Sequence, residues 1–203
     1  MYVRWPRSIG AGLALAAWLG TASDAEEWPT WRHDARRSGV SGEKLRWPLA
    51  EQWTFTPLHP PEPAWDGPPP KPIEAHLEFP RLGFDTAFHV AAVGDSVFFG
   101  SSADGKVYAL QAADGTIRWE FFTGGPVRLA PTVAEGRVFF GSDGGRVEAV
   151  GLASGRCEWG FATGAAVSGA PAVAGGRLVV MAEDGAVYCF GDKSAALPPT
   201  DRR

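Results

Sequence analysis

The sequence predicts an all-β protein, a partial β-propeller of about three four-stranded antiparallel blades. Three observations carry that expectation. A unit of about 40 residues recurs three times between roughly residues 87 and 191. Within each unit, apolar and polar residues alternate with the period of a half-buried strand. Glycine-centred turns separate the alternating runs, in a chain rich in Gly (26) and Pro (17). A period of this length with four strands per unit is the pattern of a propeller blade.

Residues 1–25 have the pattern of a secretory signal peptide. Arg4 and Arg7 precede a 14-residue apolar run from Ile9 to Ala22, and small residues follow, with cleavage expected near Ala25. That run is shorter than the roughly 20 residues a membrane-spanning helix needs, so no stable membrane insertion is expected after cleavage. The run is not followed by a Cys for lipid attachment, and the leader has no Arg pair of the twin-arginine kind. The expected localisation is secreted or periplasmic.

Residues 26–56 form a lead-in segment without a clean period. It ends on Gln52-Trp53-Thr54-Phe55, which matches Arg118-Trp119-Glu120-Phe121, the fourth strand of the first repeat. Residues 57–86 are a Pro-rich excursion, with eight Pro between positions 57 and 72. Proline cannot donate to a sheet ladder, so this stretch is expected at the surface and not as a central strand.

Residues 87–191 hold the repeats. Gly105, Gly145 and Gly185 recur at intervals of 40, as do Gly115 and Gly155, and Trp119 and Trp159. These seven are the structural repeat positions. Asp104-Gly105, Gly144-Gly145 and Asp184-Gly185 are expected to make two-residue hairpin turns that need φ > 0. Ile117, Trp119 and Phe121 are expected on one face of the fourth strand, with Cys157, Trp159 and Phe161 likewise in the second repeat. The third repeat ends after its third strand, and residues 192–203 are expected to be a disordered tail. The lead-in strand is thus of the type the third unit lacks.

The strings DGKVYALQAADGTIRWEF and GGRVEAVGLASGRCEWGF resemble the repeats of the PQQ-like (quinoprotein-type) β-propellers. Ala113-Asp114-Gly115 with Trp119, and Ala153-Ser154-Gly155 with Trp159, stand in for that family's repeat motif. The opening WPTWRHDARRSG looks like the N-terminal segment of its BamB-like exported bacterial branch. The resemblance implies four-stranded blades around an axis. Propellers close with about four to eight blades, so the chain looks truncated.

In the dehydrogenases of this superfamily the resemblance would imply PQQ, a metal held by acidic and amide side chains, and a catalytic Asp. The sequence contains no Asn and no adjacent Cys pair. Asp104, Asp114, Asp143 and Asp184 fall in turns, where Asp is ordinary turn chemistry. No catalytic, cofactor-binding or metal-binding residue is assigned, and whether the chain is an enzyme is left open. Trp119 and Trp159 are expected to pack in the core or between blades. Cys157 and Cys189 occupy positions that are apolar in the other units and are expected to be buried thiols.

The four His (33, 59, 76 and 89) lack metal-ligand spacing. His33-Asp34 with Arg32, Arg36 and Arg37 is read as a solvated stretch whose Arg pair with local acids, against the alternative of an anion site. After leader removal, 17 basic face 22 acidic residues, a net of −5. That balance argues against a nucleic-acid partner. The expected function is a non-catalytic exported scaffold that binds a protein or ligand. Two alternatives remain: a fragment of a PQQ-dependent oxidoreductase, in which case PQQ is the cofactor, or an assembly subunit that completes a ring by self-association.

Overall fold

The computed structural model describes residues 26–64, 71–73, 76–78 and 87–192. The expected leader, much of the Pro-rich excursion and nearly all of the expected tail lie outside these residues. Every regular element among the described residues is a β-strand. β1 (Lys71–Ile73) and β2 (His76–Glu78) pair as a small ribbon within the Pro-rich stretch, which the proline content alone did not suggest.

The repeats then form three antiparallel sheets in chain order. The first blade runs β3 (Val90–Val93), β4 (Ser96–Gly100), β5 (Lys106–Gln111) and β6 (Ile117–Phe122). The second runs β7 (Thr132–Ala134), β8 (Arg137–Ser142), β9 (Arg146–Gly151) and β10 (Cys157–Ala162). The third has β11 (Ala172–Ala174), β12 (Arg177–Met181) and β13 (Val187–Phe190). The first strands β3, β7 and β11 approach one another. They form the hub, and each later strand lies further out, as in a propeller.

Middle strands are buried and outer strands are not. β5 has four consecutive buried residues, Val107 to Leu110, and β9 has five, Val147 to Gly151. β6 and β10 contain no fully buried residue. The core lies between blades: Phe98, Val107 and Ala109 of the first meet Val138, Phe140 and Val150 of the second. Val147 of the second meets Leu178 and Val180 of the third. Phe98 and Phe140 have almost no exposed surface, and burial of each stabilises the fold by about 3 kcal/mol.

The blades touch most closely at two glycines. A Cβ on Gly100 would lie 2.2 Å from Val127 Cγ1, and one on Gly141 would lie 2.2 Å from Val167 Cγ1. Val127 and Val167 sit in the linkers to the next blade, whose amides donate to Ser101 and Ser142 carbonyls at 3.0 and 3.1 Å.

The hairpin connections are longer than the expected two residues. Residues 101–105, 143–145 and 182–186 join the second and third strands. Gly105, Gly145 and Gly185 close these loops at φ 61°, 72° and 80°, in the left-handed conformation that ends a longer hairpin loop. The positive φ was legible in the glycine, but the loop length was not.

The expected facing of the fourth strands also needs correction. Ala109 pairs Trp119, yet Leu110 pairs Ile117, so Arg118 is the extra residue of a β-bulge. The second blade repeats this, with Ala149 opposite Trp159 and Val150 opposite Cys157. Paired residues share a face, and a bulge reverses the alternation on one side. Ile117 and Cys157 therefore face away from the tryptophans they were expected to accompany.

Candidate functional site

The structure presents two candidate surfaces, the hub and the outer rim. At the hub, the lead-in segment crosses all three blades. Trp28 and Ala92 of β3 exchange backbone hydrogen bonds at 2.7 and 2.8 Å. The Val133 amide of β7 donates to Pro29 O at 2.7 Å. Proline suits this station, where only its carbonyl is used. Thr132 Oγ1 donates to Pro171 O of the third blade at 2.6 Å, so Thr30 Oγ1, 2.8 Å away, donates to Thr132. Arg37 Nη2 reaches Ala170 O at 3.1 Å. Thr30 and Thr132 are both buried.

Beyond Thr30 the chain turns tightly. Arg32, His33 and Arg37 hold φ of 60°, 79° and 55°, a conformation that costs a non-glycine residue about 1–2 kcal/mol. The contacts on either side offset that cost. His33 packs on Trp28 with ring centroids 4.9 Å apart, and its Nε2 lies 3.2 Å from Glu26 Oε1. Asp34 accepts from the Ser38 amide and hydroxyl, which hold its carboxyl below the ordinary value. Arg32 and Arg37 lie over the Trp31 ring, at 5.7 and 5.1 Å from its centroid. Residues 32–37, expected to be a solvated stretch, are exposed or half-buried, but Arg32 and Arg37 rest on the Trp31 ring and not on local acids; Trp28–Thr30 and Arg37 make the anchor on the blades. The signal was the Trp-Pro-Thr-Trp string, whose apolar content is too high for a solvated strap.

At the rim, each tryptophan docks on the next repeat. Trp119 Nε1 donates to Leu152 O at 2.9 Å, and a Cβ on Gly155 would lie 2.6 Å from its Cδ2. Trp53 does the same one station earlier. Its Nε1 donates to Ala112 O at 2.8 Å, and a Cβ on Gly115 would lie 2.6 Å from its Cε3. Phe55 follows suit, 5.8 Å from Phe99 and Tyr108, as Phe121 lies 5.7 Å from Phe140. Residues 51–56 join no strand ladder, yet they hold a fourth-strand station beside the first blade. Trp159 packs edge-on to Phe190 at 4.9 Å instead.

Trp159 lines a cavity of ≈ 1200 Å³ between the second and third blades, with Phe139, Arg177, Cys189 and Phe190. Both cysteines are free and exposed, against the expectation of burial. Cys157 is exposed because the bulge turns it away from Trp159. Cys189 pairs Val179 as Ala149 pairs Phe139. Ala149 is covered by its fourth-strand neighbour Trp159, and the third sheet has no fourth strand among the described residues.

The turn aspartates bond locally. Asp114 accepts from the Thr116 hydroxyl (2.7 Å) and amide (3.0 Å), which lower its pKa. Asp184 accepts from Tyr188 OH at 2.7 Å and the Ala186 amide at 2.8 Å, with the same effect. Tyr108 donates to Asp104, and burial, then that carboxylate, pushes its phenol above the ordinary range. Glu148 stands where the flanking blades carry Tyr108 and Tyr188, buried, with Oε2 lacking a hydrogen-bond partner. Among the described residues no group of three or more His, Cys, Asp or Glu could hold a metal ion.

Radiating four-stranded sheets, locked by a Trp on the following glycine turn, define an arc of a β-propeller built from PQQ-like repeats. The chain belongs to the repeat family described as outer membrane protein assembly factor BamB, whose model matches residues 31–160 and again 134–196. A comparison with curated proteins found no match. Among solved structures, a europium-containing methanol dehydrogenase is similar at 14% identity and a TM-score of 0.51, over 82% of this chain and 30% of that one. A quinohemoprotein alcohol dehydrogenase from Pseudomonas putida HK5 shares 26% identity over 45% of this chain and 16% of that one, with a TM-score of 0.42. BamB from Moraxella catarrhalis shares 17% over 51% of this chain and 45% of that one, with a TM-score of 0.36. The chain therefore spans less than half the length of each of these structures.

Proposed function

We propose that the chain is a non-catalytic scaffold, exported to the bacterial envelope, that holds a protein partner. One observation carries this reading: the chain's own lead-in segment is bonded along the inner strands at the hub. Trp28 and Pro29 hold these stations through backbone bonds to Ala92 and Val133. Backbone groups of the lead-in segment at these stations favour a scaffold over a quinone site. The family description, an outer-membrane assembly factor, favours a protein partner over a small ligand. The segment that leaves the hub exposes Val40, Leu45, Trp47 and Leu49, a run of apolar side chains suited to a partner's surface. No helix among the described residues is long and apolar enough to cross a membrane.

Two measurements test the reading. A photo-crosslinking residue at position 47, introduced in the producing cell, is expected to capture an envelope-assembly protein, identified by mass spectrometry of the adduct. Purified protein mixed with PQQ and calcium is expected to show no quinone binding. Oxidation of an alcohol or sugar by that mixture would overturn the proposal in favour of a fragment of an oxidoreductase.

A further inference from the structure

Residues 43–47 of the lead-in segment alternate cationic and apolar side chains with a period of two: Lys44 and Arg46 against Leu45 and Trp47. That is the pattern of a half-buried strand. Yet the run joins no sheet and lies wholly exposed. Leu45 is 64% exposed and Trp47 78%. Among the described residues, no backbone group at positions 44 to 47 has a hydrogen-bond partner. Neither cation has an acidic partner among them either.

The run is tethered at both ends. Before it, the Ser41 hydroxyl donates to Glu26 Oε2 at 2.6 Å, and the Gly42 amide donates to the same oxygen. After it, Trp53 Nε1 donates to Ala112 O at 2.8 Å. Tethering removes part of the conformational freedom that a binding partner would otherwise have to remove.

We infer that residues 43–47 are a docking strand, which adds to the free edge of a β-sheet in a partner protein. The inference rests on the reading of the chain as a scaffold for such a partner. Strand addition pairs the backbone groups through main-chain hydrogen bonds, and alternate side chains select the partner. In the added strand, Leu45 and Trp47 fall on one face and Lys44 and Arg46 on the other. The partner's edge strand therefore carries apolar residues on the first face and Asp or Glu on the second. Pro48 cannot donate to a ladder, so it ends the run. A lipid surface matches less well. A segment lying in a bilayer interface is an amphipathic helix, which satisfies its own backbone. Here the period is two and the backbone is unpaired.

The test uses the full exported chain and, as probe, an octapeptide of alternating Val and Glu. The peptide is expected to bind and to slow amide exchange at positions 44 to 47. The same peptide with every backbone amide N-methylated is expected not to bind. Lys44→Glu with Arg46→Glu should weaken peptide binding about tenfold or more. Circular dichroism should not change, since both side chains are exposed. Absence of peptide binding at millimolar concentration would overturn the inference. So would equal binding of the N-methylated peptide, which cannot form the ladder. Tighter binding to phosphatidylglycerol vesicles than to the peptide would make lipid the occupant and overturn it too. Slow exchange at positions 44 to 47 in the free chain would show that the chain's own residues cover the run, with the same consequence. The crosslinking residue at position 47 separates this inference from the reading beneath it. Capture of an envelope protein that persists undiminished in the Lys44→Glu, Arg46→Glu variant would keep the scaffold and refute the docking strand. Absence of any capture would refute the scaffold reading, and the inference with it.

Discussion

The Trp119 indole lies on Gly155, donating to the carbonyl of Leu152 at 2.9 Å, with the ring where a Cβ would need to be. The contact joins two blades across 36 residues of sequence. Gly155 is required twice over, by its φ of 62° and by the ring. Gly155→Ala is expected to destabilise the protein by about 2–4 kcal/mol, combining left-handed strain with overpacking. Gly185→Ala, with φ 80° and nothing within 4 Å of the added Cβ, should cost only the strain, about 1–2 kcal/mol. Urea unfolding of the two variants measures the difference. Equal losses would show that the indole yields without cost.

The same contact shows what the sequence made legible. The 40-residue spacing exposed both Gly155 and Trp119 as repeat positions, and their β-sheet context followed from alternation. Their mutual contact did not follow, because Trp119 meets the glycine of the next unit and not its own. Gly100 and Gly141 were illegible for a related reason. They lie inside strands without any turn signal, and only the packed linker valines explain them. The bulge at Arg118 and Glu158 leaves no mark in the alternation, so the pattern alone puts Cys157 on the wrong face. Trp28 and Pro29 join the hub through backbone groups, which side-chain patterns do not report, so only the apolar Trp-Pro-Thr-Trp string marks the segment.

Thr132 links the lead-in segment to two blades, accepting from Thr30 and donating to Pro171 O at 2.6 Å. Thr132→Val keeps the shape and leaves Thr30 Oγ1 and Pro171 O unpaired in a buried setting. The expected cost is about 1–3 kcal/mol. Hydrogen exchange locates it: the amides of Trp28, Ala92 and Val133, protected in the native chain by the hub bonds, should exchange faster in the variant. If only global stability falls, with hub amides exchanging in step with β5 and β9, the segment is not separately held.

Stability should decline at both ends of the pH scale, through different residues. Asp114 and Asp184 have pKa values lowered from 3.8 by their turn hydrogen bonds. Their contribution is present above the unfolded value and is lost as pH falls through the lower folded value. Asn keeps the acceptor oxygen but does not titrate, so Asp114→Asn with Asp184→Asn should flatten the acid limb of the melting temperature. Tyr108 is raised from 10.0 by burial and by Asp104. Its contribution is present below 10 and is lost as pH rises further, since the unfolded phenol ionises first. Tyr108→Phe should flatten the alkaline limb alone. A variant that moves the opposite limb would refute the assignment.

Arg128 ties the start of the Pro-rich stretch to the second blade. Its Nε donates to Asp143 Oδ2 at 2.7 Å, and its Nη1 donates to Glu62 O at 2.7 Å. The Glu62 amide in turn donates to Ser102 Oγ at 2.9 Å. Glu62 is thus held on both sides, by Arg128 from the linker between blades and by Ser102 from the first blade's loop. Removing one charge-assisted partner from a half-buried pair costs about 1–3 kcal/mol, but most of that should appear locally. Arg128→Ala is expected to leave the unfolding transition nearly unchanged while an elastase, which cleaves after small residues, cuts after the exposed Ala64 at least several times faster. Ser102→Ala, which removes only the opposite contact, should give a smaller increase. If both variants cut at the native rate, the prolines alone hold this stretch extended, and the Arg128 contact contributes nothing to its position.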